Sequence, residues 1–132
     1  MPSAVEHLVL LKLTRPFNDQ EVAAVKTLKK KIPGILRVSA GQNYTHRALK
    51  FNYGIVVTFH SKLHEAAYQT HPEHQTVKDQ IIKPLLDTSQ TEPILALDYE
   101  FQYEVCPLGW RSFLLMGLTA GIILGRAASS RR

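Results

Sequence analysis

Alternating apolar residues open the chain. In VEHLVLLKL, Val5 to Leu13, one face carries Val5, His7, Val9, Leu11 and Leu13, the two-residue period of a half-buried strand. His7 is therefore expected to look inward. The next stretch, RPFNDQEVAAVKTLKKKIPG, changes period. Asn18 caps a helix with Glu21 at the third helical position, a capping box. Val22, Val25, Leu28 and Ile32 form its apolar stripe, and Pro33-Gly34 stops it. ILRVSAGQN reads as a second strand, the polar stretch Tyr44 to Asn52 as a loop, and YGIVVTF as a third strand with Tyr53, Ile55, Val57 and Phe59 on one face. Ser61 then caps a short helix.

AAYQTHPEHQTV, Ala66 to Val77, interrupts that helix. A residue before proline avoids the helical region and proline suits a first helical turn, so two helices are expected to meet at His71-Pro72. His74, Val77, Ile81 and Leu85 give the second helix its buried stripe, and Pro84 ends or bends it. PILALDYEFQYE completes the pattern as a fourth strand. The order of strand, helix, two strands, helices and strand predicts an α+β, ferredoxin-like fold, an antiparallel sheet with helices on one face.

The body so defined covers residues 4–102, with a linker over 103–109. Beyond it the composition changes. Ser112 to Gly125 are 14 residues without a charge, a helix of about 21 Å against a hydrocarbon core of about 30 Å. Trp110, Arg111 and Arg126 suit the two interfaces, where arginine stems extend the effective span. Gly117, Gly121 and Gly125 repeat at the four-residue spacing of closely packed membrane helices. Residues 110–128 are therefore expected to form a C-terminal hydrophobic helix that serves as a single-pass transmembrane tail anchor, the domain facing the cytosol. The competing reading is a helix packed on a partner. Its basic flanks resemble those of mitochondrial or plastid outer-membrane anchors.

Charge and cysteine content narrow the function classes. The net charge of +5 is carried largely by Arg111, Arg126, Arg131 and Arg132, which leaves 12 basic against 11 acidic residues before position 107. Lys29-Lys30-Lys31 close the first helix, where they complement its dipole, so no nucleic-acid partner is expected. The single cysteine, Cys106, forms no intrachain disulfide or multi-cysteine zinc site. The N-terminus has neither a basic leader nor a small-residue cleavage signal. His60 and His64 share no evident third ligand, so no metal and no cofactor are expected.

The remaining chemistry concentrates at the helix junction. Tyr68 and His74 are six residues apart and would not align on a straight helix, but a bend at Pro72 lets them converge. Histidine can serve as a base near neutrality and a phenol can donate to a carbonyl or hydroxyl. His7 and Tyr53, each on an inward strand face, would complete a largely apolar pocket with Tyr68 and His74. Spacing alone equally allows Tyr68 and His74 to be packing residues, and His71 to be a junction residue.

Taken together, VEHLVLLKL, KIPGILRVSAGQN, YGIVVTF, AAYQTHPEHQTV and LALDYE resemble the stress-response A/B barrel (Dabb) family over about residues 4 to 102. The YQTHPEH piece is the most specific. The resemblance implies a homodimer whose sheets close into an α/β barrel. One branch, typified by olivetolic acid cyclase, cyclises polyketides without a cofactor, using the tyrosine and histidine that Tyr68 and His74 match. His7 matches that branch's first-strand histidine. Tyr53 stands where the branch has a histidine and Val25 where it has a tyrosine, so the pair is kept in altered surroundings. The expected function is a noncatalytic stress-response scaffold, dimeric, holding a small apolar ligand and tethered to a membrane. The alternative is a cofactor-independent polyketide cyclase or lyase using His74 as base and Tyr68 as hydrogen-bond donor.

Overall fold

The computed structural model of the chain describes residues 1–104. The hydrophobic helix expected over 110–128, with its anchor role, lies outside the described residues, as does Cys106. Among the described residues no helix is long and apolar enough to cross a membrane.

Strand β1 (Ser3–Leu11) leads into helix α1 (Asp19–Lys31), hairpin strands β2 (Ile35–Gln42) and β3 (Tyr53–Phe59), helices α2 (Lys62–Thr70) and α3 (Pro72–Val77), and strand β4 (Ile94–Gln102). The four strands form one antiparallel sheet in the order β2-β3-β1-β4. This is the ferredoxin-like α+β arrangement read from the sequence. Ser3–Gln102 form one compact unit.

Local chemistry sets each boundary. At the start of α1 the Asn18 side chain accepts from the Glu21 amide at 2.9 Å and the Glu21 carboxylate accepts from the Asn18 amide at 2.8 Å. Both atoms satisfy donors that the first helical turn leaves unpaired. Arg15 clamps the same carboxylate with two nitrogens, and these bonds hold the Glu21 carboxyl at about 2. Gly34 turns the chain from α1 into β2 with a φ of +88°, and a Cβ there would lie 2.1 Å from the His64 ring. Positive φ and the close approach of α2 both demand glycine.

Alternation divides the sheet into two faces. Val5, Leu11, Ile55, Val57 and Phe59 face the helices and pack with Val25, Leu28 and Ile32 of α1 in the buried core. The opposite face carries Leu8 and Leu10 of β1 and, directly across in register, Leu97 and Leu95 of β4. Leu95, Leu97 and Tyr99 are 51%, 55% and 47% exposed, so an apolar sheet face is left uncovered within the protomer.

One expectation about the helices is corrected. The stripe His74, Val77, Ile81 and Leu85 assumed a regular α-helical period, whereas residues Lys78–Ile82 form a π-helical turn ahead of a last turn, α4 (Lys83–Leu85). The wider turn adds a residue. Ile82 therefore enters the core beside Val77 and Leu85, and Ile81 is only partly buried. The helix ends one residue after Pro84, at Leu85.

Candidate functional site

The junction of α2 and α3 builds the site. His71 ends α2 and caps α3, its ring nitrogen accepting from the Glu73 amide at 3.1 Å, and Pro72 occupies the first turn of α3. The change of direction brings α3 side chains back onto the last carbonyls of α2, of which that of Tyr68 also accepts from the His71 amide at 3.1 Å. His74 Nδ1 donates to the Tyr68 carbonyl at 3.1 Å, and Gln75 Nε2 donates to the Gln69 carbonyl at 2.7 Å. Because a carbonyl only accepts, the proton sits on Nδ1, and Nε2 of neutral His74 is left as the acceptor.

The same turn stacks the His74 ring on the Tyr68 ring, centroids 3.9 Å apart at 23°. Phe59 meets the Tyr68 ring edgewise at 4.9 Å and His7 meets it at 5.9 Å. His7, Tyr68 and His74 are 6%, 4% and 5% exposed. His7 Nδ1 is 2.5 Å from an Asp98 carboxylate oxygen, a contact delivered by the β1/β4 register, which sets His7 opposite Asp98.

These three rings form the polar end of a cavity of about 250 Å³ between sheet and helices. Val9, Leu11 and Ile55 of the sheet, Val25 and Leu28 of α1, and Ile82 of the π turn supply much of its apolar wall. Gln69, Lys78 and Lys83 also line it. Burial, then the neighbouring charge of Lys78, pulls the His74 imidazole down from 6.5 to about 4. Burial, then the Glu65 carboxylate, pushes the Tyr68 phenol up. Among the described residues none forms a hydrogen bond to the Tyr68 hydroxyl. Near neutrality the cavity thus offers an uncharged acceptor and an uncharged donor side by side.

Of the four pocket residues expected from the sequence, the structure brings together His7, Tyr68 and His74. Tyr53 is not among the residues lining this cavity. It does face the helices, but it lies across from Leu11 and packs on Phe17 with centroids 4.5 Å apart. Strand parity fixes the face of a residue but not its distance along the strand from the helix junction. Asp98, Gln69 and Lys78 were not anticipated as site residues. Lys78 was within reach of sequence reasoning, lying four residues after His74 on one helical side. Asp98 required the register of β4.

A metal is poorly served here. His7, Glu65 and Asp98 place one potential ligand atom each within 4.8 Å of one another. However, His7 and Asp98 are already in direct contact at 2.5 Å, whereas two ligands on one tetrahedral zinc stand about 3.4 Å apart. Glu65 accepts from Gln69 Nε2. His7 and Asp98 are thus engaged with each other, and Glu65 with Gln69. His60 and His64 have ring centroids 5.9 Å apart, and His64 is engaged by Ser61.

A family model described as the stress responsive A/B barrel domain matches residues 5–101. No curated protein matches the chain. Among solved structures, a dimeric protein of unknown function and ferredoxin-like fold from Bacteroides fragilis is 25% identical, with a TM-score of 0.57 over 74% of this chain and 96% of its own. A Dabb family protein from Mesorhizobium loti is 16% identical, with a TM-score of 0.58 over 77% of this chain and 99% of its own. A hydroxynitrile lyase from Passiflora edulis is 19% identical, with a TM-score of 0.63 over 80% of this chain and 100% of its own. The last two likenesses speak for the fold.

The lowered His74 value has a measurable consequence for stability. Between about 6.5 and about 4 the unfolded chain binds the His74 proton and the folded chain does not. The contribution is present in full above pH 6.5 and is lost as pH falls toward 4. Its upper bound is roughly 3 kcal/mol, reduced because the ring borders a cavity open to water. Urea denaturation at pH 7 and pH 5 should show wild type losing more stability than His74→Gln over that interval. Equal losses would contradict the assignment.

Proposed function

The chain belongs to the stress-responsive A/B barrel family, and we propose that it works as a homodimer holding a small, largely apolar molecule between sheet and helices, without transforming it. The observation that carries this reading is the cavity of about 250 Å³ with Tyr68 and His74 at one end. Apolar walls with a few convergent polar groups are the ordinary form of a small-molecule site. Its chemistry favours holding over proton transfer. A general base works best with a pKa near the working pH, and His74 at about 4 lies well below it. Neutral Tyr68 and His74 instead suit a ligand hydroxyl or carbonyl as donor and acceptor.

A second reading rests on the same pair. His74 Nε2 is unprotonated at neutral pH, and its ring stacks on that of Tyr68 in the same cavity, so the two could remove an activated proton and hydrogen-bond the developing oxyanion. That would make the chain a cofactor-independent cyclase or lyase. Val25, a cavity wall, supplies no further polar group.

The uncovered sheet face supports the dimer. Leu8, Leu10, Leu95, Leu97 and Tyr99 make an apolar surface larger than scattered exposed side chains. A second copy would bury the same residues, closing two sheets into a barrel. The dimeric Bacteroides fragilis neighbour has the same fold. A membrane tether rests on the sequence of residues 110–128 alone.

Three measurements test these proposals. Sedimentation at micromolar concentration should give a dimer, and Leu97→Asp, present twice in the interface, should weaken it by about 100-fold; a monomeric wild type overturns the dimer. Linear polyketide thioesters and cyanohydrins should not be turned over faster by wild type than by His74→Ala or Tyr68→Phe, and a clear wild-type excess would establish the enzymatic reading. For the tether, full-length protein should fractionate with membranes and a truncation after residue 106 should not. Recovery of both in the soluble fraction removes the anchor.

A further inference from the structure

The cavity carries an unbalanced charge. Its lining includes two lysines and no carboxylate. Lys83 is neutralised by Asp79, four residues before it, at 2.5 Å. The Lys78 ammonium has no ion pair or hydrogen bond among the described residues, and its neighbour Asp79 is the residue that Lys83 holds. Lys78 is partly buried and stands close enough to His74 to depress its protonation. A lysine drawn in from solvent is ordinarily paired.

The backbone puts it there. Lys78 begins the π turn, one helical turn after His74. The wider turn brings Ile82 and Lys83 to the cavity as well, so that Lys78 shares its lining with them and with Tyr68 and His74. Single π turns inside helices are frequent at functional sites.

We propose that the molecule held here is an amphipathic monocarboxylic acid, its carboxylate on Lys78 and its apolar body among Val9, Leu28, Ile55 and Ile82. This inference rests on the ligand-holding reading above and assigns its ligand class. One free ammonium matches one negative charge. A phosphate, with nearly two charges at neutral pH, would leave charge uncompensated, since Lys83 is spent on Asp79. The Tyr68 hydroxyl can donate to the second carboxylate oxygen, and the ligand's charge would be shielded from water by the cavity wall, which strengthens a charge-assisted bond.

The test compares octanoate with octanamide, a neutral molecule of nearly the same shape, by calorimetry or amide-shift titration of the full chain at pH 7.5. Octanoate should bind about 10-fold tighter than octanamide. Lys78→Met should reduce that preference to less than about twofold and leave octanamide binding unchanged, whereas Lys83→Met should leave the preference intact. Methionine keeps most of the lysine stem, so loss of packing is not the variable. Octanamide binding as tightly as octanoate, or a preference that survives Lys78→Met, would show that the ammonium stays in water beyond the mouth; either overturns the inference and leaves the ligand-holding reading standing. Binding by neither probe overturns both.

Discussion

The site depends on a helix that is broken in the right place. Pro72 cannot supply the amide that would continue α2, so the Gln69 carbonyl would be left open and the Tyr68 carbonyl would keep only the His71 amide. The two side chains that close them, His74 and Gln75, come from the next helix. One of these bonds also fixes the His74 tautomer and lays its ring on Tyr68. Helix termination, hydrogen-bond satisfaction and site geometry are a single arrangement. An unbroken helix would separate residues six apart onto different faces.

The junction also explains why the polar end of the cavity is uncharged. A histidine and a tyrosine packed between Phe59, His7 and the helix ends are removed from water, and burial disfavours the charged form of each. The two shifts run in opposite directions, which separates donor from acceptor across the whole neutral range. Lys78 reinforces the effect on His74 because like charges one helical turn apart oppose each other.

Much of this is legible in the sequence. The capping box at Asn18, the break at His71-Pro72, the strand YGIVVTF and the inward parity of His7 follow from local rules, and the structure has them where those rules put them. The convergence of Tyr68 with His74 followed once the bend was recognised. The misses share a cause. Period alone puts Tyr53 in the pocket and Ile81 on the buried stripe, and period carries no information on position along an element or on an inserted π residue. Asp98 was visible only as part of the LALDYE strand motif, since its contact with His7 spans most of the chain. No local rule supplies strand register at that distance. The partly buried, unpaired state of Lys78 depends on what other acids are occupied with, which is a property of the assembled fold.

β1 and β4 serve two surfaces at once, and their register is the constraint common to both. His7 and Val9 face the cavity while Leu8 and Leu10 face the opposite side. Asp98 meets His7 on one face while Leu95 and Leu97 extend the apolar patch on the other. Because side chains alternate strictly, a slip of β4 by one residue would exchange the faces of all its side chains against those of β1. It would place Leu97 or Tyr99 against His7 and turn Asp98 into the apolar patch. The short His7–Asp98 contact and the Leu8–Leu97 pairing therefore exclude the same misalignment from opposite sides of the sheet. The polar pair specifies the register by leaving a buried histidine without a partner in any other, and the leucines by gathering the apolar residues of both strands on one face only in this one.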